Sequence, residues 1–383
     1  MVLIGFSLAA LIVAEGTIAG MLRLMVESMT DTVSGEAQIH RHNFLETFDA
    51  DLYLTNLSDI TTQLDQDNNI KAYAVRTIAG GMISSSYNLV SGVVFGVDAE
   101  AELAVSRIKD AIKTGSYLSG SAGEILLGVE MAKSLEVDLG DRIVVTVSQV
   151  DGGELGQALF RLSGTFEFGL RELDGSFAFI NLDRGQEILG LDKSAHEIVL
   201  QFNDSEVALQ PGSLAPYNTT DTEALNWMQV NPEIGSIVEL VDYAAWMVAA
   251  ILFLLASLGV INSMFMSIYE RIYEFGVAKA IGTRPSELVL LILTEAALLA
   301  VLSVIFGMVL GLSLNYYLSI YGLPMGEMEM SGIAIQDNVF TSFTRAQFID
   351  FPLFVILLTM LAALYPARFA ARIVPTEALH RSL

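Results

Sequence analysis

Four stretches of this chain are apolar for longer than a helix buried in a soluble protein requires. Tyr243 to Tyr269 and Ala296 to Gly326 contain no Asp, Glu, Lys or Arg, Phe351 to Ala367 contains none either, and Met1 to Leu22 carries only Glu15. A bilayer is crossed by about 20 such residues, with somewhat fewer still sufficient, so the pattern predicts four transmembrane helices, over 1–26, 243–269, 287–320 and 350–367. Between the first two the pattern changes to short alternating runs broken by turn residues. Strands are predicted at Asp51 to Thr55, Ala72 to Ile78, Leu89 to Val97, Arg142 to Val150, Gln157 to Phe166, Ser176 to Asn181 and Glu197 to Phe202. Helices are predicted at Ala99 to Lys113, Val129 to Glu136 and Asp183 to Leu189, with a surface loop over Pro211 to Asp221. The fold class is therefore an α-helical membrane protein with a mixed α+β domain, 27–242, inserted between helices one and two.

Charge orients it. Of the eight Lys and Arg residues outside 27–242, six (Arg271, Lys279, Arg284, Arg368, Arg372 and Arg381) fall in the segment 270–286 or in the tail 368–383. By the positive-inside rule those two regions face the cytoplasm, which puts 27–242 and the short loop 321–349 on the far side. Both chain termini are then cytoplasmic. The first apolar run lacks the basic start and cleavage site of a signal peptide, so an uncleaved anchor is expected. The net charge of −24 sits almost wholly on the soluble domain, where 34 acidic residues face 12 basic ones. That surface repels phosphate backbones and excludes nucleic acid as a partner. The chain has no cysteine, which removes thiol and disulfide chemistry.

Catalytic signatures are absent. No Lys follows a Gly, so there is no phosphate loop of the Walker type, and neither G-x-S-x-G nor H-E-x-x-H occurs. His40 and His42 alternate on a possible strand, but with no third ligand they read as surface histidines, and no metal site is expected.

The polar segment between spans two and three, YERIYEFGVAKAIGTRPSELVLLILTEA, resembles the signature of FtsX-like ABC transporter permeases through Arg271, Glu274, Gly276, Lys279, Ala280, Gly282 and Glu295. The tail YPARFAARIVPTEALH is similar to the closing segment of that family through Pro366, Ala367, Ala370, Ala371, Pro375, Ala378 and Leu379. Within the soluble domain, SGEAQIH (34–40), VVFGVDAEAE (93–102), ILLGVEMAKSLEVDLGDRIVV (125–145) and GTFEFGLRELDGSFAFINL (164–182) look like the periplasmic domain of the lipoprotein-releasing permeases LolC and LolE, shared more loosely with MacB. Two departures stand out: no basic segment precedes helix one, suggesting a truncated start, and 203–218 is short for a strand-helix unit of that domain.

The resemblance implies a non-catalytic subunit of the bacterial inner membrane with a periplasmic domain. It binds no cofactor itself; ATP and Mg belong to a cytoplasmic ABC ATPase dimer. The other implied partners are a second permease copy or paralogue, a lipoprotein cargo and a periplasmic lipoprotein carrier. ATPase coupling would run through Glu270, Arg271, Glu274, Phe275, Gly276, Lys279, Ala280 and Gly282, with Glu270 and Glu274 forming a charged face and Ile272, Phe275 and Ile281 free to meet membrane or protein. Lipid contact is expected at Met21, Leu22, Met25, Val26 and Met29, a flexible, polarizable stripe at helical spacing, with Val248, Leu252 and Leu255 opposite. The hairpin tip Asp151, Gly152 and Gly153 is the candidate carrier contact, although it is shorter than the hook of LolC-like members. Glu295 is expected to be solvated or paired with Arg284 or Lys279. Gly16-x-x-x-Gly20 and Gly307-x-x-x-Gly311 read as helix packing. The leading expectation is lipoprotein extraction from the inner membrane. The alternatives are a MacB-type mechanotransmitting exporter of peptides, drugs or lipids and an FtsX-like regulator of a cell-wall hydrolase; FtsX has a smaller outer domain.

Overall fold

The computed structural model describes residues 2–150, 152–169, 171–324, 328–330, 333–335 and 338–374. Asp151 of the hairpin tip, Pro375, Ala378 and Leu379 of the closing motif, and Arg381 lie outside the described residues. Eight helices matter here: α1 (Val2–Met29), α2 (Leu57–Gln66), α3 (Val129–Leu135), α4 (Leu182–Leu189), α5 (Pro232–Glu270), α6 (Ile272–Ala280), α7 (Pro285–Tyr321) and α8 (Phe351–Arg372). The ten strands of the main sheet are β1 (Ala37–Arg41), β2 (Ile70–Ser84), β3 (Leu89–Val97), β4 (Ile112–Gly115), β5 (Glu124–Gly128), β6 (Arg142–Ser148), β7 (Leu155–Phe166), β8 (Phe177–Asn181), β9 (Glu197–Phe202) and β10 (Thr222–Asn226). The chain divides into two compact units, one built from Met1–Leu24, Ile237–Gly326 and Asp337–Leu383, the other centred on Met25–Ser236.

In the first unit, α1, α5, α7 and α8 are long and apolar enough to cross a membrane. Small residues let them approach. A Cβ on Gly307 would lie 2.7 Å from the carbonyl oxygen of Gly5, and one on Gly311 would lie 2.9 Å from Cα of Ala9. The residues that precede α8 use the same device at the other end of α1: a Cβ on Gly20 would come within 1.9 Å of the Phe340 carbonyl, and Ser342 N donates to Gly16 O at 2.9 Å. Both glycine pairs are packing positions, as expected. Two boundaries move. Helix α5 begins at Pro232 rather than 243, because polar residues continue a helix outside hydrocarbon as readily as apolar ones do. Helix α8 runs through Pro366 to Arg372, held by the burial of Ala363, Ala367 and Ala370.

The second unit contains a closed ring of strands. β2 pairs with β3, β3 with β8, β8 with β5, β5 with β7, β7 with β6, and β6 with the end of β2. Ile83, Ile125, Ile143, Phe160 and Ile180 fill it, with Met131 and Leu135 of α3 and Ile188 of α4. β2 serves both halves: Ile70 to Arg76 pairs with β9, whereas Gly81 to Ser84 pairs with β6. Gly81 sits where the strand changes partner, and a Cβ there would meet Thr146 O at 2.7 Å, so glycine permits the corner. The sheet then extends through β9, β1 and β10 over a second core of Ile39, Leu64, Ile198, Leu200 and Phe202.

Several expectations fail locally. Asp51 to Thr55 contributes a single bridge, Leu54 to Ala195, rather than a strand. The helix expected over Ala99 to Lys113 survives only as one turn, Glu102–Val105, followed by β4. Tertiary contacts override its propensity: Glu102 is held by Arg76, and Arg107 N donates to Asp31 O at 2.6 Å. β4, β5, β10 and α2 are additions.

His40 is fully buried, which corrects its reading as a surface residue; His42 is exposed. The His40 ring stacks on Phe44 at 6.1 Å between centroids, and Phe44 stacks on His196 at 5.3 Å. Burial pushes the His40 imidazole down to about 4 and lowers His196 as well. Below the unfolded value of about 6.5 the unfolded chain therefore binds the proton that the folded one refuses. The contribution of His40 to stability should be complete above that pH and fall by about 3 kcal/mol as the pH drops to 4. Glu197, opposite His40 in register, shifts the other way: burial raises its carboxyl while the Arg76 guanidinium draws it back down. Comparing His40→Gln with the unaltered chain isolates the first effect. The stability difference between them, read by chemical unfolding at a series of pH values, should shift by that amount between pH 7 and 4.

Candidate coupling site

The elbow between α5 and α7 is built from a broken helix. Arg271 leaves helical geometry (φ −105°, ψ 15°), ending α5 and starting α6. α6 stops in a Schellman arrangement: Gly282 N donates to Lys279 O at 3.1 Å and Thr283 N to Ala278 O at 3.0 Å. This requires the left-handed φ of 110° at Gly282, which glycine adopts without strain. Pro285 and the return hydrogen bond from Arg284 N to the Glu287 carboxylate, 3.0 Å, then open α7.

Two tethers fasten α6. At its start Arg271 donates from Nε to Glu274 Oε2 at 3.0 Å and from Nη1 to both oxygens of Glu295 on α7, at 3.3 and 3.1 Å, with its guanidinium 5.2 Å from the centre of the Phe275 ring. At its end Lys279 Nζ donates to Ala371 O at 2.9 Å and Ile373 O at 2.7 Å, capping the C-terminus of α8. Those carbonyls carry the negative end of the helix dipole, so an ammonium is the complementary group. Between the tethers Phe275 and Gly276 are buried, Phe275 among Ile268, Leu288, Ile292 and Ala367.

The sequence-derived residues therefore divide by role. Arg271, Phe275, Gly276, Lys279 and Gly282 build the elbow, while Glu270, Glu274, Ala280 and Ile281 face outward. Phe275 is not available to membrane or partner, a correction that follows from its place in the core. Glu295 pairs with Arg271 rather than with Arg284 or Lys279. Tyr269 and Tyr273, also exposed, were missed.

The other candidates differ in exposure. Met21, Leu22, Met25, Val26 and Met29 are partly buried along α1. On α5, Val248 and Leu255 are exposed, whereas Leu252 packs into the bundle core with Phe253 and Val355. Gly152 and Gly153 form an exposed tip, closed by Gln149 N donating to Glu154 O at 2.7 Å.

Residues 246–375 match the FtsX-like permease C-terminal family. The chain is 26% identical over 302 residues to the lipoprotein-releasing system transmembrane protein LolC of Xylella fastidiosa (strain Temecula1), covering 74% of this chain and 71% of that protein. It is 22% identical to the LolE of Haemophilus influenzae, over 84% of this chain and 80% of that protein. Among solved structures, the periplasmic region of MacB from Actinobacillus actinomycetemcomitans aligns with 58% of this chain and 98% of its own length at 13% identity, TM-score 0.38.

Proposed function

We propose that this chain is the permease subunit of an ABC transporter that extracts lipoproteins from the inner membrane and passes them to a periplasmic carrier. The observation that carries the reading is the doubly tethered elbow. A partner pressing on Tyr273, Glu274 and Ile281 displaces α6, and the Arg271–Glu295 pair and the Lys279 cap pass that displacement to α7 and α8. The chain contributes no nucleotide site; ATP and Mg sit on a cytoplasmic ATPase dimer. Two permease copies, or this chain and a paralogue, share the cargo between their membrane helices. The soluble unit lies in the periplasm and both termini in the cytoplasm, in keeping with the distribution of Lys and Arg. Similarity to LolC and LolE over most of the chain favours lipoprotein as the cargo.

The test is reconstitution with the partner ATPase in liposomes. ATP should release a triacylated lipoprotein to a soluble carrier in proportion to the ATP hydrolysed. Hydrolysis without release overturns the cargo assignment, and export of a peptide or drug instead would favour the MacB-type alternative.

A further inference from the structure

Arg76 is the largest fully buried side chain among the described residues, and it lies beneath the segment that emerges from α1. Its guanidinium holds three partners at once. Nε and Nη2 grip the two oxygens of Glu102, the former at 3.0 Å, and Nη1 donates to Glu197 Oε1 at 3.1 Å and to the backbone carbonyl of Val33. Glu102 and Glu197 are as deeply buried as Arg76. Such a cluster is a costly way to stabilise a sheet, because apolar side chains of the same volume usually do as well or better once desolvation is counted. Stability is therefore a poor reason for its presence.

Its position supplies a better one. Val33 belongs to the π-helical turn Thr30–Ser34 directly after α1, a geometry whose carbonyls are poorly served within the helix. The same short stretch is fastened at several further points. Arg107 Nε pairs with Asp31 at 3.2 Å, Gln38 Nε2 donates to Ser34 O at 2.8 Å, and Trp227 N donates to Glu36 O at 3.1 Å. Asn231, the residue immediately before α5, donates from Nδ2 to Ser34 Oγ at 3.3 Å. The end of one membrane helix and the beginning of the next are thus knotted together; Gln38 of β1 and Arg76 of β2 both reach from the buried sheet, and of the two Arg76 alone carries a charge.

We propose that Arg76 is the positioning residue through which movement of α1 is delivered to the soluble unit, clamping the Val33 carbonyl to β2, β9 and the Glu102 turn. The inference rests on the transporter reading and names the entry point of motion within it. A planar fork is required, since one side chain must satisfy two carboxylates and a carbonyl lying in different directions. A lysine at 76 retains the charge between the carboxylates, but its compact ammonium cannot span all three.

The experiment uses the full chain in nanodiscs with Arg76→Lys. Amide hydrogen exchange over 30–36 should accelerate at least tenfold, while β5 and β8 keep their protection. Unchanged exchange over 30–36 overturns the clamp, and so does uniform acceleration across the sheet, which would make Arg76 a core residue and nothing more. In the reconstituted complex the same variant should release at least fivefold less cargo per ATP hydrolysed. Full release despite loosened 30–36 overturns the transmission role. If the unaltered complex releases no lipoprotein, the cargo reading fails, yet the exchange measurement still decides the clamp.

Discussion

Arg76→Met should lower the stability of the soluble unit by about 3–5 kcal/mol, the cost of leaving buried carboxylates without their counter-charge. Glu102 is fully buried and Glu197 nearly so, and both depend on the same guanidinium, so neither can recover its solvation without opening the sheet between β2 and β9. Methionine fills much of the volume, which confines the effect to charge and hydrogen bonding. Adding Glu102→Gln and Glu197→Gln to Arg76→Met should restore at least half of the loss, because neutral amides leave no unpaired charge behind. The chain has two tryptophans; Trp227 lies buried in the soluble unit, so Trp246→Phe leaves it as the sole fluorescent reporter of unfolding. A single substitution that costs under 1 kcal/mol would mean that the cluster is hydrated and the buried-charge argument wrong.

On the proposed function, Lys279→Met should leave ATP hydrolysis by the partner within about twofold while release per ATP falls at least tenfold. Lys279 makes two charge-assisted bonds to the final carbonyls of α8, each worth roughly 1.5–3 kcal/mol. Without them α6 keeps its tie to α7 through Arg271 and the apolar packing of Phe275, but loses its polar hold on the end of α8. Glu270→Gln, on the exposed side, leaves both tethers in place and serves as the comparison: it should act on partner affinity rather than on release per hydrolysed ATP. Equal loss of hydrolysis and release in Lys279→Met would count against a transmitting elbow. It would show that the substitution merely prevents the partner from binding.

The same residue types were legible in the sequence for a reason different from the one the structure gives. Arg271 and Lys279 stand out as motif residues at a membrane surface, with Arg271 beside the charged face of Glu270 and Glu274. Both turn inward, Arg271 to the Glu295 carboxylate and Lys279 to the backbone carbonyls at the end of α8, whose dipole favours a cation. Gly282 was marked by its motif, and its purpose emerges from the positive φ that a Schellman stop demands. His40 was misjudged because alternation alone does not say which side of a strand is covered. Phe44 and His196, 152 positions apart in the numbering, cover it.

What the sequence determined by itself is everything governed by local composition: four spans, since hydrocarbon tolerates no run of charge; an acidic soluble insertion; six of the strands, through period-two alternation; and the short elbow that charge forces out of the bilayer. Tertiary structure alone decided how β2 divides its pairing to close a ring of strands, why Ala99 to Lys113 is not a helix, and which side chains meet at the exit of α1. Arg76, Glu102, Glu197 and Val33 are scattered over 33–197, and no local pattern brings them together. The register of β2 against β9 sets Arg76 opposite Glu197, and the packing of the Glu102 turn and of the segment after α1 brings the other two partners to the same guanidinium.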